Sequence, residues 1–242
     1  MIQHEEMSLN AWPALQTALH KGCVLRFSNG YTSRANSANP LYSNRNDFDG
    51  LIDYAEKFYE SRGLPCVFKI LKTDRYDELD AMLERKSYET ITPTTVMKCD
   101  LKNFAVDDAD PISIYPGFTD EWFEPFVEIN GIKETHVPTA RKMLDLVSVD
   151  TVVGSVKIGG EIVACGYGAI ESGHVGFFDI VVKREKRGQG LGRALMNGII
   201  REAKSRGASS GYLQVMENNE IAKKLYASLG FKPHYKYWYR KK

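Results

Sequence analysis

Arg187-Gly188-Gln189-Gly190-Leu191-Gly192 is the stretch on which the reading of this chain turns. The run before it, Phe177-Phe178-Asp179-Ile180-Val181-Val182, is short, aromatic and β-branched, and reads as a buried strand. After it, Leu191, Leu195, Ile199 and Ala203 recur every four residues, the stripe of an amphipathic helix running to Lys204. A glycine-rich turn entering a helix leaves convergent backbone N–H groups unpaired, and the helix dipole adds partial positive charge there. Such an end binds phosphate oxygens. Glycine suits it because a Cβ would hold the backbone off the anion.

Spacing then decides which phosphate ligand. A P-loop ends in Gly-Lys followed by Ser or Thr, and this chain has Gly192-Arg193-Ala194. A dinucleotide fingerprint sits directly on the strand end as Gly-x-Gly-x-x-Gly; here the glycines alternate and Lys183 to Arg187 intervene. Both readings fail. What remains resembles the acyl-CoA pyrophosphate loop of the GNAT acetyltransferase superfamily, Arg/Gln-x-x-Gly-x-Gly/Ala, with Arg187, Gly190 and Gly192 in its fixed positions.

Downstream, the strand Gly211-Tyr212-Leu213-Gln214-Val215 leads to Asn219-Glu220-Ile221-Ala222-Lys223-Lys224-Leu225-Tyr226-Ala227-Ser228-Leu229-Gly230-Phe231. This segment is similar to the second GNAT motif, Asn-x-x-Ala-x-x-Leu-Tyr-x-x-x-Gly-Phe, with every position filled. Ala222, Leu225 and Leu229 form a helix stripe and Gly230 stands where a C-terminal cap belongs. Structural need accounts for those positions but not for Asn219 or Tyr226. The resemblance covers roughly Asp110 to the C-terminus. It implies an α/β (α+β) fold: a mixed, strongly curved sheet flanked by helices on both faces.

Composition is that of an ordinary globular chain. Among 242 residues, 43% are hydrophobic and 26% charged, with a net charge of +1, so a broad nucleic-acid footprint is not expected. Cys23, Cys66, Cys99 and Cys165 are far apart, which fits reduced core thiols and a cytoplasmic location. No apolar stretch is long enough to span a membrane, and Met1-Ile2-Gln3-His4-Glu5-Glu6 lacks the form of a signal peptide. The five histidines are dispersed, so no metal is expected, and no Gly-x-Ser-x-Gly occurs.

Periodicity divides the C-terminal half into a strand at Ile112–Tyr115, helices through Trp122–Ile129 and Thr139–Val147, and strands near Thr151–Ile158, Glu161–Ile170 and His174–Val182. Then come the phosphate-loop helix, the strand to Val215, a helix Asn219–Leu229 and a closing strand His234–Tyr239. The N-terminal half reads as a helix Trp12–His20, a strand Cys23–Ser28, a polar segment Tyr31–Tyr42, a helix Phe48–Ser61, a strand Cys66–Leu71, a helix Tyr76–Lys86 and a strand Thr94–Leu101. Ser61-Arg62-Gly63 recurs as Ser205-Arg206-Gly207, an offset of 144, and the element order repeats from there. At that offset the phosphate loop becomes Ser43-Asn44-Arg45-Asn46-Asp47-Phe48, without glycine, and Tyr226 becomes Met82. The expected organisation is therefore two tandem GNAT-like units: a worn copy in residues 1–105 and a catalytic domain in residues 106–242. The linker is expected near Asn103–Asp110. Within the polar segment, Arg34 and Asn36 either belong to a solvated loop or face the other half and shape an acceptor pocket.

The resemblance implies an N-acetyltransferase that passes an acetyl group from acetyl-CoA to a primary amine by direct attack in a ternary complex. Backbone N–H groups of Gln189 through Gly192 would hold the pyrophosphate, and Ile180, Val181 and Val182 would pair with the pantetheine arm as an added strand. Asn219 would contact that arm. Lys183, Arg184, Lys186 and Arg193 either meet the nucleotide phosphates or form a solvated face. Tyr226 matches the tyrosine that protonates the departing thiolate; a phenol near 10 stays protonated at neutral pH.

The base is less plain. Many GNAT enzymes carry a Glu eleven residues ahead of the Arg/Gln of the loop, and that position here is Gly176. Asp179 is the nearest carboxylate on the strand; set among apolar neighbours it would be desolvated into a general base, unless it serves a structural hydrogen bond. Glu171, His174 and a water chain are further options. A base matters for a lysine-like amine, which costs roughly 4–5 kcal/mol to neutralise at pH 7, far more than an α-amine at about 1. The alternatives to an enzyme are a non-catalytic acyl-CoA sensor and a protein-interaction module. The acceptor and the oligomeric state, a homodimer included, are not legible in the sequence.

Overall fold

Residues 1–105 and 112–242 are described by a computed structural model. The first half runs α1 (Ile2–Ala11), β1 (Gln16–His20), β2 (Cys23–Phe27), β3 (Ala38–Asn39), α2 (Phe48–Glu60), β4 (Val67–Leu71), α3 (Asp77–Arg85) and β5 (Glu89–Asp100). The second runs β6 (Ser113–Tyr115), α4 (Asp120–Asn130), α5 (Val137–Asp145), β7 (Asp150–Ile158), β8 (Glu161–Glu171), β9 (His174–Val182), α6 (Leu191–Ser205), β10 (Ser210–Met216), α7 (Glu220–Ser228) and β11 (Lys232–Lys241). All eleven strands form one mixed sheet in the order β1-β2-β3-β4-β11-β5-β10-β9-β8-β7-β6. The expected linker lies in part outside the described residues.

Shifted by 144, α2, β4, α3 and β5 fall on α6, β10, α7 and β11, each beginning within one residue of its counterpart. The closing strands are exchanged. β11 lies between β4 and β5, antiparallel to both, and β5 pairs in turn with β10. The alternation of Tyr235, Tyr237 and Tyr239 thus serves the first half: all three are buried with α2 and α3 residues such as Leu51, Ile52, Leu79 and Leu83. A second core packs α6 and α7 residues Leu195, Ile199 and Tyr226 on Phe177 and Leu213; a third joins α1, α4 and α5 through Met7, Trp122 and Met143.

One expectation is corrected. Trp12–His20 is not a helix: the helix is α1, which stops at Ala11, and β1 occupies Gln16–His20. Pro13 disfavours the helical conformation at Trp12, which adopts φ −129° and ψ 71°, so the proline ends the preceding helix rather than opening a new one. α1 escaped detection because it buries polar groups. Glu5 is fully buried against Lys69 and Tyr235, and Ser8 bonds back to the His4 carbonyl.

Candidate active site

β9 and β10 run parallel and remain paired from Ser210↔His174 to Leu213↔Phe177. Beyond that they part, although β9 continues to Val182 and β10 to Met216. A bulge drives the separation. On β8, Tyr167 pairs with Phe178 while Cys165 pairs with Val181, leaving Asp179 and Ile180 opposite Gly166. Asp179 adopts φ +49°, and a Cβ on Gly166 would lie 2.6 Å from Ile180 Cδ1. The strain belongs to the backbone that re-aims Asp179 into the cleft.

The glycine loop stands at one end of this cleft. Gly188 and Gly190 have φ of +77° and +81° with nothing within 4 Å of an added Cβ, so they are needed for conformation and not for room. Gly192 differs: a Cβ there would meet Leu225 at 3.2 Å, so its absence lets α6 approach α7. Within α6 the Arg193 and Ala194 N–H groups both donate to the Gly190 carbonyl, and those of Leu191 and Gly192, the first two of the helix, have no intrahelical acceptor. Arg187 Nε donates to the Val182 carbonyl at 3.2 Å and ties the loop to the strand end.

Two cavities fill the cleft. One, of about 440 Å³, lies between the loop and the splayed strands, against Ile180, Val181, Val182, Arg187, Gly188, Gly190, Leu191, Gly192, Arg193 and α7. The other, of about 420 Å³, is bounded by Phe178, Asp179, Gln214, Tyr237 and Tyr239 and, from the first half, Thr32, Ser33, Arg34, Thr92 and Thr94. They share Ile180, Val181, Asn219, Ala222 and Tyr226. Tyr226 is buried at this junction; burial first, and then the Asp179 carboxylate, push its hydroxyl up to about 12.

Several residues have more specific settings than the sequence discloses. Asp179 does not sit among apolar groups alone: Arg34 Nη2 donates to its Oδ1 at 2.9 Å, while Oδ2 is buried without a partner. Arg34 lies over the Trp12 ring at 4.5 Å, and buried Arg26 holds its carbonyl. Asn36 does not reach the cavity. It organises the loop, accepting from the Ser28 and Gly30 N–H groups and donating to the Thr32 carbonyl. Asn219 caps α7 by accepting from the Ala222 N–H at 3.1 Å, which gives that position a structural reason. Gln189 is exposed and lines neither cavity. Lys183 is engaged by Glu128 and Glu161, and Arg193 donates to Ser228.

Glu171 and His174 line neither cavity; Glu171 accepts from Asn10, and His174 contacts the Ser172 carbonyl across the turn. Among the described residues no group of three or more His, Cys, Asp or Glu could hold a metal ion, and no helix is long and apolar enough to cross a membrane. Sequence reasoning missed Thr92, Thr94, Gln214, Tyr237 and Tyr239. Only the tyrosine alternation pointed toward any of them. In the first half, side chains of the segment equivalent to the glycine loop engage residues outside it, Asp47 pairing with Lys21 and Arg45 donating to the Asp74 carbonyl.

A family described as "Probable histone acetyltransferase Rv0428c C-terminal" matches residues 2–240. The chain is 27% identical over 242 residues to "Uncharacterized N-acetyltransferase YobR" of Bacillus subtilis (strain 168), covering 98% of this chain and 96% of the relative. Among solved structures, "GCN5-related N-acetyltransferase from Kribbella flavida" has a TM-score of 0.76 at 14% identity over 99% of this chain and 94% of that one. A "Tandem GNAT protein from the clavulanic acid biosynthesis pathway" has a TM-score of 0.70 at 15% identity, over 98% and 86%. With nearly its whole length matched and the same fold in both solved structures, this chain belongs to the Rv0428c C-terminal acetyltransferase family, within the GNAT superfamily of N-acetyltransferases.

Proposed function

We propose that the protein transfers the acetyl group of acetyl-CoA to a primary amine by direct attack in a ternary complex. One observation carries this reading: two cavities of similar size, one beside the glycine loop, adjoin and share the Tyr226 side chain in their linings. The loop N–H groups and helix end suit a diphosphate. The edge of Ile180–Val182 left by the splay suits an amide-bearing arm laid alongside as an extra strand. Holding amine and thioester together at the junction supplies much of the acceleration.

In this reading the amine nitrogen bonds to the thioester carbonyl carbon and the C–S bond breaks. Asp179, directly or through water, takes the proton that nitrogen loses, and Tyr226 gives one to the sulfur. The cycle closes when the Asp179 proton returns to Tyr226 or to solvent. Residues 106–242 carry the chemistry. Residues 1–105 form a GNAT-like unit without a working phosphate loop, and they contribute Arg34, Thr92 and Thr94 to the acceptor side. Four buried free thiols suit a cytoplasmic location.

Gly176, where many relatives of this superfamily carry a Glu, favours a second reading: an acyl-CoA sensor without turnover. Thiol release from acetyl-CoA, followed across a panel of primary amines, separates the two. Amine-dependent release supports the enzyme; CoA binding with no release on any amine supports the sensor.

A further inference from the structure

The acceptor cavity has an unusual charge inventory. Of the described residues that line it, Arg34 and Asp179 alone are charged; the other polar ones, such as Thr92, Thr94, Gln214 and Tyr237, are neutral. The two charges come from different halves of the chain and meet through one carboxylate oxygen, Oδ1. The other oxygen, Oδ2, is buried in the protein and lacks a hydrogen-bond partner. Arg34 gives Nη2 to that ion pair and keeps 29% of its side chain accessible. Its position is also fixed, by the Trp12 ring beneath it and by buried Arg26 on its carbonyl.

The Asp179 side chain lines the cavity with 14% of its surface accessible, and its carboxylate can take a donor from the ligand. An ammonium supplies it, but an ammonium alone would bring two cations against one carboxylate in a half-enclosed space. A polyamine would be worse. A ligand that carries its own carboxylate restores the balance, since that carboxylate meets the guanidinium while the nitrogen meets the Asp179 carboxylate. Four charges of alternating sign then close a ring beside Tyr226. The rest of the described lining offers hydroxyls and the amides of Gln214 and Asn219 but no further charge, so the side chain of such a ligand is uncharged.

We propose that the acceptor is a free α-amino acid with an uncharged side chain, its carboxylate held by Arg34 and its amine presented at the Asp179 carboxylate. This assignment rests on the acetyltransferase reading and narrows its substrate class. Arg34 is then a specificity-determining residue delivered by the half of the chain that has no phosphate loop of its own.

The test uses the full chain with acetyl-CoA and measures CoA thiol release. Free amino acids with uncharged side chains are compared with their decarboxylated amines, their methyl esters, spermidine and a lysine-bearing peptide. The expected result is a kcat/KM for the best amino acid at least about 100-fold above its decarboxylated amine. Arg34→Gln should shrink that ratio to within about threefold, and Arg34→Lys, which keeps the charge but not the fork, should leave an intermediate ratio. The wild-type panel stands without either variant. Equal or better turnover of the decarboxylated amine, spermidine or the peptide overturns the amino-acid assignment and leaves the acetyltransferase reading intact. No transfer to any amine overturns both.

Discussion

A Cβ on Gly176 would lie 2.5 Å from both Cζ and the hydroxyl oxygen of Tyr212, and 2.7 Å from the Phe178 ring. The place of the usual glutamate is therefore filled by an aromatic from the neighbouring strand. Tyr212 is itself buried and packed against His4 and Phe178. Installing Gly176→Glu should not create a better enzyme. Overpacking of this kind costs about 1–3 kcal/mol, and a carboxylate forced among rings costs more, so Tm should fall by at least about 5 °C. A variant with native Tm and a raised rate would show that the position has room for a base.

Tyr226 has its hydroxyl at about 12, well above a thiolate near 8.5. Full proton transfer to a free thiolate would be uphill, so in the proposed mechanism the hydroxyl hydrogen-bonds the sulfur as charge develops and completes the transfer late. Tyr226→Phe should lower kcat by about 100-fold or more while CoA affinity changes little. In the wild type, no alkaline decline of kcat below about pH 10 should come from this group. A rate unaffected by Tyr226→Phe removes it from the acid role.

The exchanged strand sets a limit on dissection. Because β11 lies between β4 and β5 and buries Tyr235, Tyr237 and Tyr239 in the core of the first half, neither half holds a complete sheet. Residues 1–105 and 112–242, expressed separately, should each lack a cooperative thermal transition, and co-expression should restore one. Two separately cooperative fragments would contradict this account of the sheet.

Acid should weaken the fold through His4. This buried ring packs on His174, Tyr212 and His234 with centroids 5.2–5.5 Å away, and neither of its nitrogens has a partner. Burial first, then the Met1 amine, His234, His174 and Lys98, lower it from 6.5 to about 4. Between those values the unfolded chain binds a proton that the folded chain refuses. Stability is therefore complete above about pH 6.5 and declines as pH falls toward 4, by up to roughly 2–3 kcal/mol. His4→Phe should remove at least half of the Tm loss seen between pH 7 and pH 5. An unchanged acid slope would move the effect elsewhere.

The features legible in the sequence are local ones. The alternating glycines before a helix and the Asn219–Phe231 pattern each fit within a short window, and the residues of both meet at the cleft. The apolar runs likewise placed β7, β8, β9 and α6 closely; α6 faces one core, and each of the three strands contributes to two. What escaped depends on distant partners. The ion pair of Arg34 with Asp179 spans 145 residues. The bulge that gives Asp179 its positive φ is visible only against Gly166 on β8. α1 is a helix because Glu5 finds Lys69 and Tyr235 in the interior, and no apolar stripe announces that arrangement.

The central claim is that the alternating glycines hold the diphosphate of acetyl-CoA, and calorimetric titration of CoA into the folded chain tests it most directly. The account predicts saturable one-to-one binding in the micromolar range. Gly190→Glu, whose added side chain meets no atom within 4 Å at its Cβ, should keep the fold at a cost of about 1–2 kcal/mol for the positive φ and lose that binding. Absence of CoA binding by the well-folded wild type, or equal affinity in Gly190→Glu, would contradict it.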